Sequence, residues 1–569
     1  MFISVLSELR RLVPVLGLAA LLQLPAAPVQ AQAPAWAWAR NATVTPGNLI
    51  IPVRVAADAS GNSYVLGQFT GTVTLGSTTL VSAGDTDLFL AKLDPAGTYL
   101  WAQRLGGAGP ESAGGVAVDA TGNVVVTGIF AQTMVLGSTT LVASSFISFE
   151  SGFVAKLSAA GTWQWAQRYG TYFGSSSSLR RPSVAVTPGG DVLLAGTFNT
   201  TTTTGIGSFD LGPTTLVTAG NFDLFVARLD GATGAWRWAV RGGGTENDEG
   251  LAVCSDAAGN AVVSGSFTAT APFGSTTLTA VGGTDALVVR LDPIGQWQWA
   301  SGGGGPANDA ARAVAVDRAG NPVLAGSFRN TATFGASSVN SIGVDDVLVA
   351  KLSSTGQWQW AARGGGGGFD YGYGVATDAQ NNVYVGGGVS IQSDFGSTVL
   401  NPGSTPVSSA FAGRLSSAGA WQWAVGAGNA GFSSTLTLGF ALDAAGNVFL
   451  VSRYQDTATL GPFSLNSGGQ FQDAGYIGKL GNTPLATHSG SAALALAPTP
   501  NPVAPGGALT LPAAGQVELR DALGRLVLDQ SVTMGGQPRL TLPASLVPGI
   551  YQVRLRTATA LHTGKLVVE

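Results

Sequence analysis

The chain carries one cysteine, Cys254, and two histidines, His488 and His562, in 569 residues. A single thiol excludes an intramolecular disulfide, so an exported protein built this way must rely on packing and closure. Two histidines close to the C-terminal end exclude a Ser-His-Asp triad or a histidine-held metal in the body of the chain. Charge is scarce as well: Asp, Glu, Lys and Arg make up 11% of the residues, against a usual quarter. The 28 basic and 32 acidic residues leave a net charge of −4 and no basic stripe. Nucleic acid and anionic membrane are therefore not expected partners. Hydrophobic residues still reach 45%, which places the chain among folding sequences. Helical periodicity is missing throughout.

What is abundant is glycine, 82 residues, and tryptophan, 13 residues. All the tryptophans fall in one motif, Trp-x-Trp-Ala, at Trp36/Trp38, Trp163/Trp165, Trp236/Trp238, Trp297/Trp299, Trp358/Trp360 and Trp421/Trp423, with Tyr99/Trp101 as the variant copy. The second Trp recurs at intervals of 63, 64, 73, 61, 61 and 63 residues. A second landmark is an Asp-x-x-Gly-Asn turn, as in Asp58–Asn62, Asp119–Asn123, Asp256–Asn260, Asp317–Asn321 and Asp443–Asn447. Asp378–Asn382 carries Asn for Gly, and Thr187-Pro-Gly-Gly-Asp191 is degenerate. Asp at the start of such a turn accepts backbone N–H bonds and Gly supplies the left-handed residue, so a hairpin is the expected product. Each copy offers one carboxylate, too few for a calcium loop.

Between the landmarks the chain alternates as strands do, and a Leu-Gly-Ser-Thr-Thr-Leu insertion adds a small hairpin. Four antiparallel strands in about 60 residues make one propeller blade. Turns and Trp strands each occur seven times but out of phase, because the last repeat has no Trp strand after it. The N-terminal strand around residues 36–40 is thus expected to complete the last blade. The fold class expected is all-β: a seven-bladed β-propeller over residues 34–482, closed by an N-terminal strand. The tryptophans are expected to pack blade against blade, with an aromatic sugar-binding surface as the alternative.

These repeats resemble the SBBP-type β-propeller repeat of bacterial exported proteins. The likeness rests on the Asp-x-x-Gly-Asn turn, the strand ending Ala-Lys-Leu and the Trp strand followed by Gly-Gly. Copies six and seven are read as lacking the Asp that precedes the third strand. The resemblance implies a fold and no particular activity. Residues 1–33 read as a signal peptide, with Arg10 and Arg11 before an apolar run at 12–24 that is too short to span a membrane. A linker at 483–499 leads to residues 500–569. There Pro500-Asn501-Pro502, an Asp-x-x-Gly-Arg turn at 521–525, Gly549-Ile550-Tyr551 and a final Lys565-Leu-Val-Val resemble the C-terminal sorting domain of type IX secretion cargo. That resemblance implies a small Ig-like β-sandwich and the type IX machinery as partner. It also implies passage to the cell surface or medium after export to the periplasm.

The chemistry to be expected is thin. Cys254 reads as a small core residue. The Gly runs at 242–244, 302–305 and 364–368 lack the Lys-Ser/Thr of a phosphate loop, and no cofactor is expected. The links from each Trp strand to the next blade carry Glu111, then Glu246, Asp248 and Glu249, then Asp309, then Asp370. Of these, Glu111, Glu246, Asp248, Asp309 and Asp370 are the candidate ligand-binding residues, placed on one face of the disc. Solvated acids that keep the protein soluble are the plainer reading. A monomeric binding, adhesion or scaffold module with a glycan or protein ligand is expected, and not an enzyme. The alternative is a carbohydrate-active enzyme using those carboxylates.

Overall fold

The computed structural model describes residues 33–569 apart from 42, 45–46, 144–148, 174–181, 203–204, 207, 402–408, 429–436, 469–472, 485–493, 496–499, 512, 522–525, 534–537 and 558–560. The signal-peptide reading and most of the linker reading fall outside the described residues. The chain is all-β, and most of its strands pair antiparallel, chiefly in four-stranded units with two-stranded hairpins beside them.

Short turns leave consecutive strands no choice but to lie side by side. In the first repeat Ile50–Ala57, Ser63–Phe69, Asp87–Leu93 and Tyr99–Leu105 pair in chain order. The same order recurs in sheets opening at Glu111–Val118, Ser183–Val186, Glu249–Ser255, Ala310–Val316 and Tyr371–Thr377. The last sheet differs. Thr437–Leu442, Val448–Gln455 and Asp473–Pro484 take their fourth strand from the start of the chain, Pro34–Asn41. Among the described residues that makes seven such sheets, and none closes on itself as a barrel.

The first turn of each repeat behaves as its composition dictates. Asp58 Oδ1 accepts the N–H groups of Ser60 and Asn62 at 3.0 and 2.9 Å, and Oδ2 accepts Asn62 Nδ2 at 2.8 Å. In the degenerate third copy Thr187 Oγ1 takes over as acceptor for the N–H of Asp191.

Both faces of the middle strands are covered, which is why every residue from Val124 to Phe130 is buried. Val124 and Val126 pack toward the first sheet, while Val125 packs toward the third. Shared cores of this kind join the third sheet to the fourth, the fourth to the fifth and the fifth to the sixth. Phe440 of the last sheet lies over Gly374 and Gly386 of the sixth. Phe449, Val451 and Ile477 of the last sheet share a core with Val55, Val65 and Phe89 of the first.

Strand register corrects one expectation. Asp87 stands opposite Phe69, and the equivalent places hold Ser151, Ser409 and Ala474. Copy two thus lacks this Asp along with copies six and seven. Asp473 is one residue out of step, opposite Gln455.

The C-terminal segment has two sheets of its own. Gly515–Arg520 lies between Leu526–Val532 and Gly549–Arg556, and Leu561–Val568 follows Gly549–Arg556. Leu494–Ala495, inside the stretch read as linker, adds a parallel edge strand to Leu561–Val568. Ala508–Thr510 pairs with Arg539–Thr541 in the second sheet. Leu509, Leu519, Leu540, Val553 and Leu566 fill the core between the two. No helix among the described residues is long and apolar enough to cross a membrane.

Candidate functional site

Four of the five candidate acids begin, or immediately precede, the first strand of a sheet, and register fixes what each meets. Glu111 approaches Asp87, Asp248 approaches Asp223, Asp309 approaches Asp285 and Asp370 approaches Asp346. All eight side chains are buried, none more than 2% exposed. Burial comes from the glycines above them. A Cβ on Gly243 would lie 2.6 Å from Asp223 Oδ1 and 2.9 Å from Asp248 Oδ2, and one on Gly304 would lie 2.7 Å from both Asp285 Oδ1 and Asp309 Oδ2. The Gly-Gly that follows each Trp strand is therefore a lid over two carboxyl groups, with Gly243 at φ +133°.

The hydrogen bonds divide the oxygens cleanly. Asp87 Oδ2 accepts Ala83 N–H at 2.9 Å and Arg104 Nη1 at 2.7 Å. Arg241 and Arg363 do the same for Asp223 and Asp346, at 2.6 and 2.9 Å. In the fourth sheet Gly302, opposite Leu287 as Arg104 is opposite Phe89, holds the place of that arginine. On the other side Asp248 accepts from Gly244 N–H at 2.6 Å, Asp309 from Gly305 N–H at 2.7 Å and Asp370 from Gly366 N–H at 2.6 Å. Oδ1 of Asp87, Asp223, Asp285 and Asp346 has no donor, nor has either oxygen of Glu111. Glu111 lies within hydrogen-bonding reach of Asp87, so a proton shared between those two carboxyls satisfies them, while in the other three pairs the neighbouring acids repel. Burial first, and then the neighbouring Asp, push Asp248, Asp309 and Asp370 up to about 6 and Glu111 up to about 9.

These four acids accordingly sit inside the junctions between sheets, where no large ligand touches them. Only Glu246 of the five candidates faces solvent. The pair is lost as a unit where the last sheet meets the first: Ala474 stands in the place of Asp87, and Ile50 in that of Glu111.

The tryptophans work at the same junctions from the opposite end of the strands. Trp165 Nε1 donates to Gly231 O at 3.2 Å, and Lys156 Nζ donates to that same oxygen at 2.9 Å. Pro293 O receives Trp238 Nε1 and Arg228 Nη1, at 3.0 and 3.2 Å. Ser354 O receives Trp299 Nε1 and Arg290 Nη1, at 3.1 and 2.7 Å. The cation also holds the turn Asp of its own sheet, as Lys156 holds Asp119 at 3.1 Å and Arg290 holds Asp256 at 2.5 Å. Each carbonyl belongs to the next sheet, so one Trp and one cation form a latch across the junction. Between the last sheet and the first, Pro95 O receives Trp38 Nε1 at 3.0 Å and Lys479 Nζ at 3.3 Å. The tryptophans are packing residues. Cys254 is a partly buried core neighbour of the fourth and fifth sheets, and burial pushes its thiol up.

One junction departs from the pattern, and the sequence reading passed over it. The first strand carries a β-bulge in most sheets, at Val53, Gly114, Leu251, Arg312, Tyr373 and Leu438. Only the fifth and sixth sheets put a polar or aromatic side chain there. The Arg312 guanidinium lies 5.3 Å from the ring centre of Tyr371 and 5.7 Å from that of Tyr373. Phe369, 44% exposed, stacks on Tyr371 at 6.5 Å and 18°. Tyr371 donates to Asp345 Oδ2 at 2.9 Å, and Arg329 Nε holds Asp345 Oδ1 at 2.7 Å. The signal that could have found this cluster is a run of alternating aromatics, Phe369, Tyr371 and Tyr373, with an Arg one repeat earlier.

In the C-terminal segment the residues behind the sorting-domain resemblance hold its strands together. Asn501 Nδ2 donates to Lys565 O at 2.7 Å and Asn501 Oδ1 accepts Val567 N–H at 2.8 Å, which ties residues 500–502 to the last strand. Gly549 pairs with Val568. Tyr551 is buried and donates to Val547 O at 2.6 Å. Pro500 and the Lys565 side chain are exposed.

No family model matches the sequence. A stretch of 160 residues, 26% of the chain, is 27% identical to an uncharacterized WD repeat-containing protein of Acanthamoeba polyphaga mimivirus and spans 11% of that protein. Among solved structures, a protein of unknown function from Dyadobacter fermentans superposes with a TM-score of 0.36 at 12% identity, over 77% of this chain and all of that one. The quinohemoprotein alcohol dehydrogenase of Comamonas testosteroni gives 0.37 at 11% identity, over 79% of this chain and 77% of that one. Successive four-stranded antiparallel sheets of one strand order, joined face to face by shared cores, are arranged as propeller blades are. The chain is a β-propeller-type repeat protein.

Proposed function

We propose that the chain is an exported, closed seven-bladed propeller of the SBBP repeat type that serves as a binding, adhesion or scaffold module at the cell surface. An Ig-like sorting domain at residues 500–569 would deliver it through type IX secretion. The observation that carries the reading is the latch on Pro95 O, where Trp38 and Lys479 repeat the arrangement found at the internal junctions. It supports a ring whose last blade is bolted to its first. The acids that would serve a glycosidase are enclosed in the junctions, and the solvent-facing departure from the repeat is aromatic and cationic. That combination favours recognition over acid/base turnover.

The delivery half of the proposal has a direct test. In a host with type IX secretion, the full chain is expected outside the outer membrane, released or anchored, and a chain ending at residue 499 in the periplasm. Fractionation with externally added protease separates the two compartments. Equal export of both forms would remove the sorting role from residues 500–569.

A further inference from the structure

At the fifth and sixth sheets, side chains that break the repeat gather at solvent. Arg312 and Tyr373 hold equivalent bulge positions in neighbouring sheets, and a bulge re-aims the side chain it carries. Two tyrosine rings occupy the neighbourhood of the guanidinium, at 5.3 and 5.7 Å. Stacking of this kind engages the face of the guanidinium and leaves its in-plane donors unused. Among the described residues Arg312 has no carboxylate and no hydrogen-bond acceptor, and its Nε is buried without a partner. The nearby acid, Asp345, is already held by Arg329 and Tyr371. The two Nη groups present a planar fork, the geometry that suits a carboxylate. Phe369 lies nearly parallel to Tyr371, one of the two rings that hold the guanidinium, and its exposed ring offers an apolar face of the width of a sugar ring.

We propose that Arg312, Tyr371, Tyr373 and Phe369 form a subsite for a carboxylate-bearing sugar, a uronate unit of an acidic polysaccharide. The Arg312 fork takes the carboxylate end-on through its Nη groups, and the sugar ring stacks against Phe369. Tyr371 and Tyr373 hold the guanidinium in place. The inference rests on the binding-module reading and narrows it to one site and one ligand class.

The test is calorimetric titration of the full exported chain with a galacturonate oligomer, a neutral galactose oligomer of equal length, inorganic sulfate, and a short peptide with a free C-terminal carboxylate. The uronate oligomer is expected to bind and the other three are expected to bind at least about tenfold more weakly, since a charge-assisted fork is stronger than a neutral hydrogen bond. Arg312→Gln is expected to weaken uronate binding about tenfold or more. Arg312→Lys, which keeps the charge and loses the fork, should not restore it. Phe369→Ala changes an exposed side chain, so its thermal midpoint should match the parent while uronate affinity falls. No uronate binding, equal binding of the neutral oligomer, the peptide or sulfate, or an affinity unchanged by Arg312→Gln would overturn the subsite. Binding of any of these ligands independently of Arg312 and Phe369 would leave the module reading standing without it.

Discussion

Trp38→Ala and Trp238→Ala are expected to destabilise the folded chain equally, by about 3–5 kcal/mol each. Trp238 sits at an internal junction and donates to Pro293 O, beside Arg228. Trp38 sits on the N-terminal strand and donates to Pro95 O, beside Lys479. Each loses a large apolar side chain and strips one donor from a shared carbonyl. In a closed ring the two places are equivalent. In an open array Trp38 would lie on a fraying end, and its loss would be felt only locally. Denaturant titration of both variants decides the matter through the shift in midpoint at constant slope. A Trp38→Ala cost below about 1 kcal/mol, beside a full cost for Trp238→Ala, would mean that the ring is open at that junction.

Glu111→Gln is expected to make the protein more stable than its parent at alkaline pH. Burial and the adjacent Asp87 push the Glu111 carboxyl up to about 9, from 4.5 in a free chain. The folded form therefore keeps a proton that the unfolded form has lost. Its contribution is fully present below about pH 4.5 and disappears as pH rises to about 9. Asp248, Asp309 and Asp370, pushed up to about 6, lose theirs between about pH 4 and 6. The turn acids act in the other direction. Although burial raises Asp119, hydrogen bonds from Thr121 and Asn123 and the Lys156 ammonium hold it at about 2, so its contribution is lost as pH falls from about 4 to 2. The thermal midpoint should thus peak near pH 4–5 and decline toward pH 9. Gln keeps the neutral form permanently, with an amide N–H aimed at Asp87 Oδ1. It should flatten the decline between pH 6.5 and 9 and exceed the parent at pH 9 by an amount on the order of 2 kcal/mol. A parent midpoint that does not fall over that range, or a variant that falls alongside it, would show that Glu111 and Asp87 share no proton.

The repeat architecture was readable from sequence because each sheet but the last is local. Four strands joined by short turns bring no residue far from its chain neighbours, and Asp58 with Gly61 writes its turn in five letters. The Trp motif was readable for the same reason, though its acceptors, such as Pro293 O for Trp238, lie a full repeat away. The acid pairs were half visible. Glu111, Asp248, Asp309 and Asp370 stood out as carboxylates on glycine-rich links, a setting that suggests solvent. Their partners begin the third strand of the preceding sheet, and only strand register shows that the glycines close over both. The Arg312 cluster was hidden by the abundance of tryptophan. Its positions, 312 and 373, are 61 residues apart, the same interval that separates Trp299 from Trp360. Position alone would have aligned them, but only the bulge shows that both side chains lean into one neighbourhood.

The pairing of Pro34–Asn41 with Asp473–Pro484 also sets an order of events. Every other sheet can assemble from a stretch of about 60 residues as soon as that stretch is available. The last sheet cannot, because Asn41 must wait for Tyr454 and Trp36 for Leu480, partners more than 400 residues downstream. Until the last repeat is available, the Pro34–Asn41 strand stays an unsatisfied edge, and completion of that sheet is deferred until nearly the whole repeat region has been made.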